Sequence, residues 1–387
     1  MVEVTPERVL NIARLIEPLR VPPGHKVDLA RDFDPGDRSD LVKKKKDGRE
    51  LLQTGIDLLA EYQRRFAAQA THGVLMCLQS LDAGGKDGTI RHVMSGVNPQ
   101  GVHVSSFKVP SAVELSHDYL WRYAQALPAR GDIGIFNRSH YEEVLVVRVH
   151  PEVLARQKLP PALDDAADGA FWERRYREIN HWERYLADNG FAVVKIFLNL
   201  SKEEQRNRFL ERVRVPERNW KFSPADVRER ARWDDYQVAF SEMLSATSTA
   251  HAPWYVIPAD HKWFARLCAA AVLAHTLIGI DPQYPTVSKD ARRELVAVGR
   301  QLEAEAPDEH HHGGHHHDGH HHDGHHHGKA DGNGHHGKAD SKANGTADGK
   351  ATRKAHGKAT RTANGAATPT ANGRGRPART KAARSGE

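Results

Sequence analysis

From residue 49 onward the apolar positions follow two alternating rhythms. Leu51, Leu52, Ile56, Leu59, Tyr62 and Phe66 recur at helical spacing, which predicts an amphipathic helix to about residue 70. Short runs rich in Val, Ile and Phe follow at 74–79, 102–107, 133–136, 192–198 and 254–257, each bounded by Gly, Pro, Asn or Asp. Longer helical patterns separate them, near 88–97, 112–126, 171–189, 202–214, 224–245 and 261–279. Strands alternating with helices predict an α/β fold with a mainly parallel sheet covered on both faces. Two helix starts carry their own signals. Ser201 with Glu204 makes a capping box, and Ser223 precedes Pro224 and Asp226 at the first and third helical positions. Residues 1–48, rich in Pro and charge, read as an extended segment. They end in the run Lys43 to Lys46, a solvated patch unless it helps to hold a polyanion.

Composition changes this picture at one end only. Hydrophobic residues make up 39% of 387, and the deficit lies in 308–387, which hold almost no large apolar side chain. That segment has 13 Lys/Arg against 8 Asp/Glu, so it carries five of the six formal positive charges and the body is near neutral. The organisation expected is a domain over 49–285, a linker helix within 286–307 and a disordered tail. Cys77 and Cys268, far apart in apolar surroundings, read as small buried hydrophobes in a reducing compartment. No run approaches the roughly 20 apolar residues of a membrane span, and the N-terminus lacks an apolar signal core. A cytoplasmic protein without a membrane partner is expected.

The candidate chemistry begins at Asp82-Ala83-Gly84-Gly85-Lys86-Asp87-Gly88-Thr89, which follows an apolar strand and precedes a helical pattern. There, successive backbone N–H groups and a helix N-terminus can face one anion, with Lys86 as a point charge. The segment departs from G-x-x-x-x-G-K-[ST], with Ser80 at the first Gly position and Asp87 at the Ser/Thr position. Taken alone it could be a glycine-rich turn with a surface lysine. Asp82 would repel phosphate unless a cation intervenes, which makes it a candidate Mg²⁺ ligand; otherwise it caps the turn. A second apolar strand ends in Asn137-Arg138, with Glu142 and Glu143 close behind, at what should be the sheet edge where ligands bind. Arg138 suits a bidentate phosphate contact. Asn137 and Glu142 could orient a metal or its water. The third element is basic: Arg206, Arg208, Arg212, Arg214, Arg218 and Lys221 read either as solvated surface or as a lid closing on polyanions.

These residues resemble the polyphosphate kinase 2 family, its class III branch in particular. The likeness rests on LDAGGKDGTI (81–90), VNPQGVHVSSFKVPS (97–111), FNRSHYEEVLVVRVH (136–150), WERYLADNG (182–190), WKFSPAD (220–226) and TSTAHAPWYVIPAD (247–260). It spans roughly residues 30–285. The resemblance implies a three-layer α/β/α P-loop kinase-like fold with a helical lid over about 201–235. It also implies phosphoryl transfer between inorganic polyphosphate and AMP, ADP or ATP (with GDP open), Mg²⁺ as cofactor, and a homo-oligomer. Carried over by position, Asp82 and Lys86 match the loop acid and lysine, and Lys108 the basic residue of a K-x-P-S run. Asn137, Arg138 and Glu142 match the second motif, and Arg208, Arg212 and Lys221 match lid positions. Glu143 stands where the family pattern suggests Asp, and the longer acid is expected to shift a bound metal. Two other classes stay open: an ATP-dependent nucleoside monophosphate kinase, and a nucleic-acid-associated protein.

The tail admits three readings. It solubilises the chain, or its basic residues tether polyanions, or the His triplets between His310 and His327 bind divalent metal. Within it, Gly373 to Arg379 resembles an AT-hook, which would give weak DNA binding.

Overall fold

The computed structural model describes residues 5–40, 42, 45–160 and 169–305. Its centre is a five-stranded sheet of β1 (Gly73–Gln79), β2 (Val102–Ser106), β3 (Ile133–Asn137), β4 (Phe191–Asn199) and β5 (Trp254–Pro258), in the order β2-β3-β1-β4-β5. Every pairing is parallel, and Cys77 of β1 stands level with Phe136 of β3 and Lys195 of β4. All seven residues of β1 are buried, as an unbroken apolar run in a doubly covered parallel sheet requires. Only β2, at an edge, stays largely uncovered. The order reverses at β1, so the segments leaving β1 and β3 open side by side at the C-terminal sheet edge.

The long helix Lys45–Gln69 covers one face through Ile56, Leu59, Tyr62 and Phe66, as its periodicity predicts. Beside it lies Lys262–Ile280, the helix expected near 261–279 and the one described helix long and apolar enough to cross a membrane by length and composition, which the reading of apolar runs above did not single out. Here its Leu267, Cys268, Val272, Leu273 and Leu277 are buried in the same core. Helices Gly169–Asp188 and Trp233–Thr247 cover the other face, where Ile179, Phe240 and Met243 meet Phe197 and Trp254. Both cysteines are buried and unpaired, as expected. The tail, with the features expected of it, and Lys43 and Lys44 lie outside the described residues.

Three local expectations are corrected. The leading segment is not extended: Thr5 caps helix Pro6–Ile16, with Pro6 at its first turn, and Leu15, Ile16 and Leu19 enter the core. The helix expected over 112–126 is reduced to short turns. Ser111 and Glu114 bond each other's backbone N–H groups, and Asp118 accepts from Leu120 N, so side chains satisfy the backbone without a helix. The pattern over 224–245 breaks into Pro224–Arg230 and Trp233–Thr247. Arg230 donates to Lys202 O (2.7 Å) and Gln205 Oε1 (2.8 Å), which pins the break to the neighbouring helix Lys202–Arg214.

Candidate active site

The loop leaving β1 folds as a tight cradle. Ala83 (φ 62°) and Gly85 (φ 103°) both sit in the left-handed region, and Gly84 N donates to Leu81 O (3.1 Å). A Cβ on Gly84 would lie 1.6 Å from Ser80 Oγ, so no other residue fits there. Helix Lys86–Val93 then starts with no side chain capping it, leaving its first N–H groups for an anion. Asp87 and Gly88 lie in this first turn, and Thr89 is buried with its N–H on Gly85 O.

Lys86 folds back over the cradle and donates to Ser80 O (2.7 Å). Burial, with the nearby Arg138 charge, lowers its pKa to about 8, although Asp82, Glu142 and Asp87 oppose the shift. Arg138, at the end of β3 with φ 63°, donates to Asp82 Oδ1 (3.1 Å), and its N–H extends the ladder to Leu78 O. Asn137 Nδ2 donates to Asp87 Oδ1 (2.8 Å). The two segments predicted separately are thus joined by direct bonds. Glu142 accepts from Gln79 Nε2 (2.9 Å) and lies close enough to Arg138 to raise its pKa more than any other neighbour does.

Beneath the Arg138–Glu142 segment lies a buried ionic knot. Lys195 Nζ, in the middle of β4, donates to Glu183 Oε2 (2.6 Å), Tyr141 OH (2.9 Å) and Thr247 O (2.6 Å). Tyr141 OH donates to Glu183 Oε1 (2.7 Å), which His140 Nε2 also meets at 3.2 Å. Burial opposes the charge on Glu183, but Lys195 and His140 outweigh it and hold its pKa below the usual carboxylate value. Two successive residues of the motif are therefore tied to the sheet interior, which holds Arg138 and Glu142 at its rim.

The cradle opens into a cavity of about 980 Å³ bounded by the helix Lys202–Arg214, the segment Pro216–Lys221 and the Lys262–Ile280 helix. Ten basic residues line it against four acidic ones, Asp82, Asp87, Glu211 and Glu217. Lys108 is on its wall, with its carbonyl accepting from Arg122. Arg212 pairs with Asp226 (3.2 Å), and Lys221 ends the segment Pro216–Lys221. Arg208 corrects its expected role as a lid residue. It is 5% exposed and donates to Ala83 O and Gly84 O (both 3.0 Å), to Ala259 O and Asp260 O, and to Glu204. It clamps the cradle to the segment after β5. Ser201 Oγ still caps the helix by accepting from Glu204 N (3.0 Å), but the Glu204 carboxylate is held by Arg208, so the reciprocal half of the capping box is missing and Ser201 N donates to Asp260 instead. Glu143 is also corrected: it faces away from the cradle, buried on Arg175 (3.2 Å) and Gln157 (2.6 Å), so its extra methylene does not reach a metal beside Asp82.

Residues missed above include Arg91, Lys262 and Arg266, all on the cavity wall. Burial and the charges of Arg91 and Arg208 lower the Arg266 pKa, as expected where several cations crowd one wall. Two cations four apart in an otherwise apolar helix, Lys262 and Arg266, were the readable signal. Gln205, which donates to Asp82 O (3.0 Å), had none.

Among the described residues no group of three or more His, Cys, Asp or Glu forms a ready-made metal cage. The donor set near the cradle is instead Asp82 and Glu142, with Gln79 Oε1 and Ser80 Oγ buried and lacking hydrogen-bond partners. Few hard oxygens beside an anion site fit a cation that keeps waters and phosphate oxygens in its shell, as Mg²⁺ does.

A family model described as polyphosphate kinase 2 matches residues 41–285. The chain is 48% identical over 286 residues to the ADP-polyphosphate phosphotransferase of Rhodopseudomonas palustris, covering 73% of this chain and 96% of that one. It is 46% identical over 266 residues to the AMP/ADP-polyphosphate phosphotransferase of Meiothermus ruber, covering 69% and 94%. Among solved structures, polyphosphate kinase 2 from Arthrobacter aurescens TC1 superposes with a TM-score of 0.65 at 39% identity, covering 72% and 95%.

Proposed function

The chain belongs to the polyphosphate kinase 2 family, and from that premise we propose how its site moves phosphoryl groups between inorganic polyphosphate and AMP or ADP. The observation that carries the reading is the uncapped glycine cradle with Lys86, opening into a cavity whose wall is ten parts basic to four acidic. Both substrates are polyanions, so the first obstacle to reaction is their mutual repulsion. An oxygen of the nucleotide's terminal phosphate attacks the end phosphorus of polyphosphate. The new P–O bond forms as the bridging P–O bond breaks, and the chain leaves one phosphate shorter. That oxygen is already ionised near neutral pH, so no strong general base is needed. The loop amides, Lys86 and Arg138 meet the charge on the transferring group's equatorial oxygens. Arg208 holds the amides in place, and alignment of the two phosphates supplies much of the remaining rate. Asp82, with Glu142, would hold Mg²⁺, which supplies charge neutralisation for the non-bridging oxygens.

The test supplies the purified chain with polyphosphate, Mg²⁺ and either ADP or AMP, with no other phosphate donor, and separates the nucleotides by chromatography. ATP from ADP, and ADP followed by ATP from AMP, are expected. Phosphorylation of AMP only when ATP is added would instead identify an ATP-dependent monophosphate kinase.

A further inference from the structure

We propose that Trp220 is the platform on which the nucleobase of the acceptor stacks, an inference that rests on the reaction proposed above and extends it to the part of the substrate that carries no charge. A nucleotide brings to the cavity a flat, uncharged ring as well as phosphates. The wall offers that ring very little: apart from small alanines, its apolar lining residues are Phe107 and Trp220.

Phe107 is already engaged. Its ring lies 4.5 Å from Tyr123 and 4.9 Å from Phe136, with the Arg122 guanidinium 5.2 Å away. Trp220 is 77% exposed, far more than is usual for the largest apolar side chain, and among the described residues no aromatic ring stacks on it. Its position is nonetheless set. The indole N–H donates to Glu217 O (3.0 Å), and Asn219 Nδ2 donates to Arg212 O (2.7 Å) and Val213 O (2.8 Å), which ties the segment to the end of the Lys202–Arg214 helix. The ring is therefore oriented by local hydrogen bonds and not by core packing. Lys221 Nζ lies 4.9 Å from the ring centroid and occupies one face, which leaves the opposite face for a base. An ammonium beside a π-surface suits a ligand that joins a base to phosphates. Every base has a π-face, so such a platform takes adenine and guanine alike.

The experiment compares the full chain with W220A and W220F in steady-state kinetics, varying ADP at saturating polyphosphate and the reverse. W220A should raise the KM for ADP about tenfold or more, leave the KM for polyphosphate within about twofold, and W220F should restore most of the loss. AMP titrated without polyphosphate should quench the indole emission of the parent, and W220F should lose that part of the quench. An unchanged KM for ADP, a rise in both KM values together, or an undiminished quench in W220F would overturn the proposal. Failure of the underlying reaction looks different: the parent itself would make no ATP from ADP and polyphosphate.

Discussion

Removing the guanidinium of Arg208 separates two accounts of the basic helix. In Arg208→Met the stem still fills its space, but Ala83 O, Gly84 O, Ala259 O and Asp260 O lose their shared donor, and Glu204 loses its partner. A hydrogen bond from a charged group contributes roughly 1.5–3 kcal/mol, and breaking one side of a buried charged cluster costs about 3–5 kcal/mol. At about 2–4 °C per kcal/mol for a domain of this size, Tm should fall on the order of 10 °C. The two loop carbonyls belong to the peptides whose amides form the cradle, so turnover should fall too, by about tenfold or more. Arg208→Lys keeps the charge but offers it from one point, and it cannot serve both pairs of carbonyls; an intermediate loss is expected. Thermal melts read beside ATP formation from ADP and polyphosphate decide the matter. A large loss of turnover with an unchanged Tm would mean that Arg208 acts as a mobile lid arginine on substrate, and the clamp would be refuted.

Gly84→Ala should abolish measurable turnover while the sheet still folds, because its methyl would sit 1.6 Å from Ser80 Oγ; near-normal activity would show that the cradle is not needed in this form. For Lys86, whose pKa is lowered to about 8, kcat/KM for polyphosphate should fall as pH rises through that value, since the free enzyme loses its ammonium there. The kcat limb should lie higher, because bound phosphate favours the charged form. The same shift makes the unfolded chain bind more protons between about 8 and 10.5, so the Lys86 contribution to stability should improve with pH across that window. A flat kcat/KM profile from pH 7 to 9 would contradict the Lys86 assignment. Glu183→Gln, which leaves the Lys195 ammonium buried without a counter-charge, should cost about 3–5 kcal/mol in denaturant unfolding, and adding Lys195→Met should recover much of it; no recovery would show that the knot's charges are not what matters.

What was legible in the chain follows its covalent order. Strand β1, the cradle and helix Lys86–Val93 are consecutive, so a run of buried residues, glycines and a lysine announces them together. Placing Asn137 and Arg138 near that cradle required a parallel sheet, which brings all its carboxyl ends to one edge, and β3 next to β1 in it. Arg208 was misread for the opposite reason. Its periodicity puts it on one helix face with Arg212, but only the strand order decides that this face meets the carbonyls after β1 and β5, which come from distant parts of the chain. Glu142 and Glu143 show the same limit at the smallest scale. They are neighbours with the same chemistry, yet one accepts from Gln79 near the cradle and the other is sealed against Arg175. No spacing rule distinguishes them, because the short 3₁₀ turn His140–Val144 points successive side chains in different directions and the buried bonds of His140 and Tyr141 set its orientation. The ionic knot under the motif therefore does what the motif cannot do alone: it selects which of two adjacent acids lies beside the cradle.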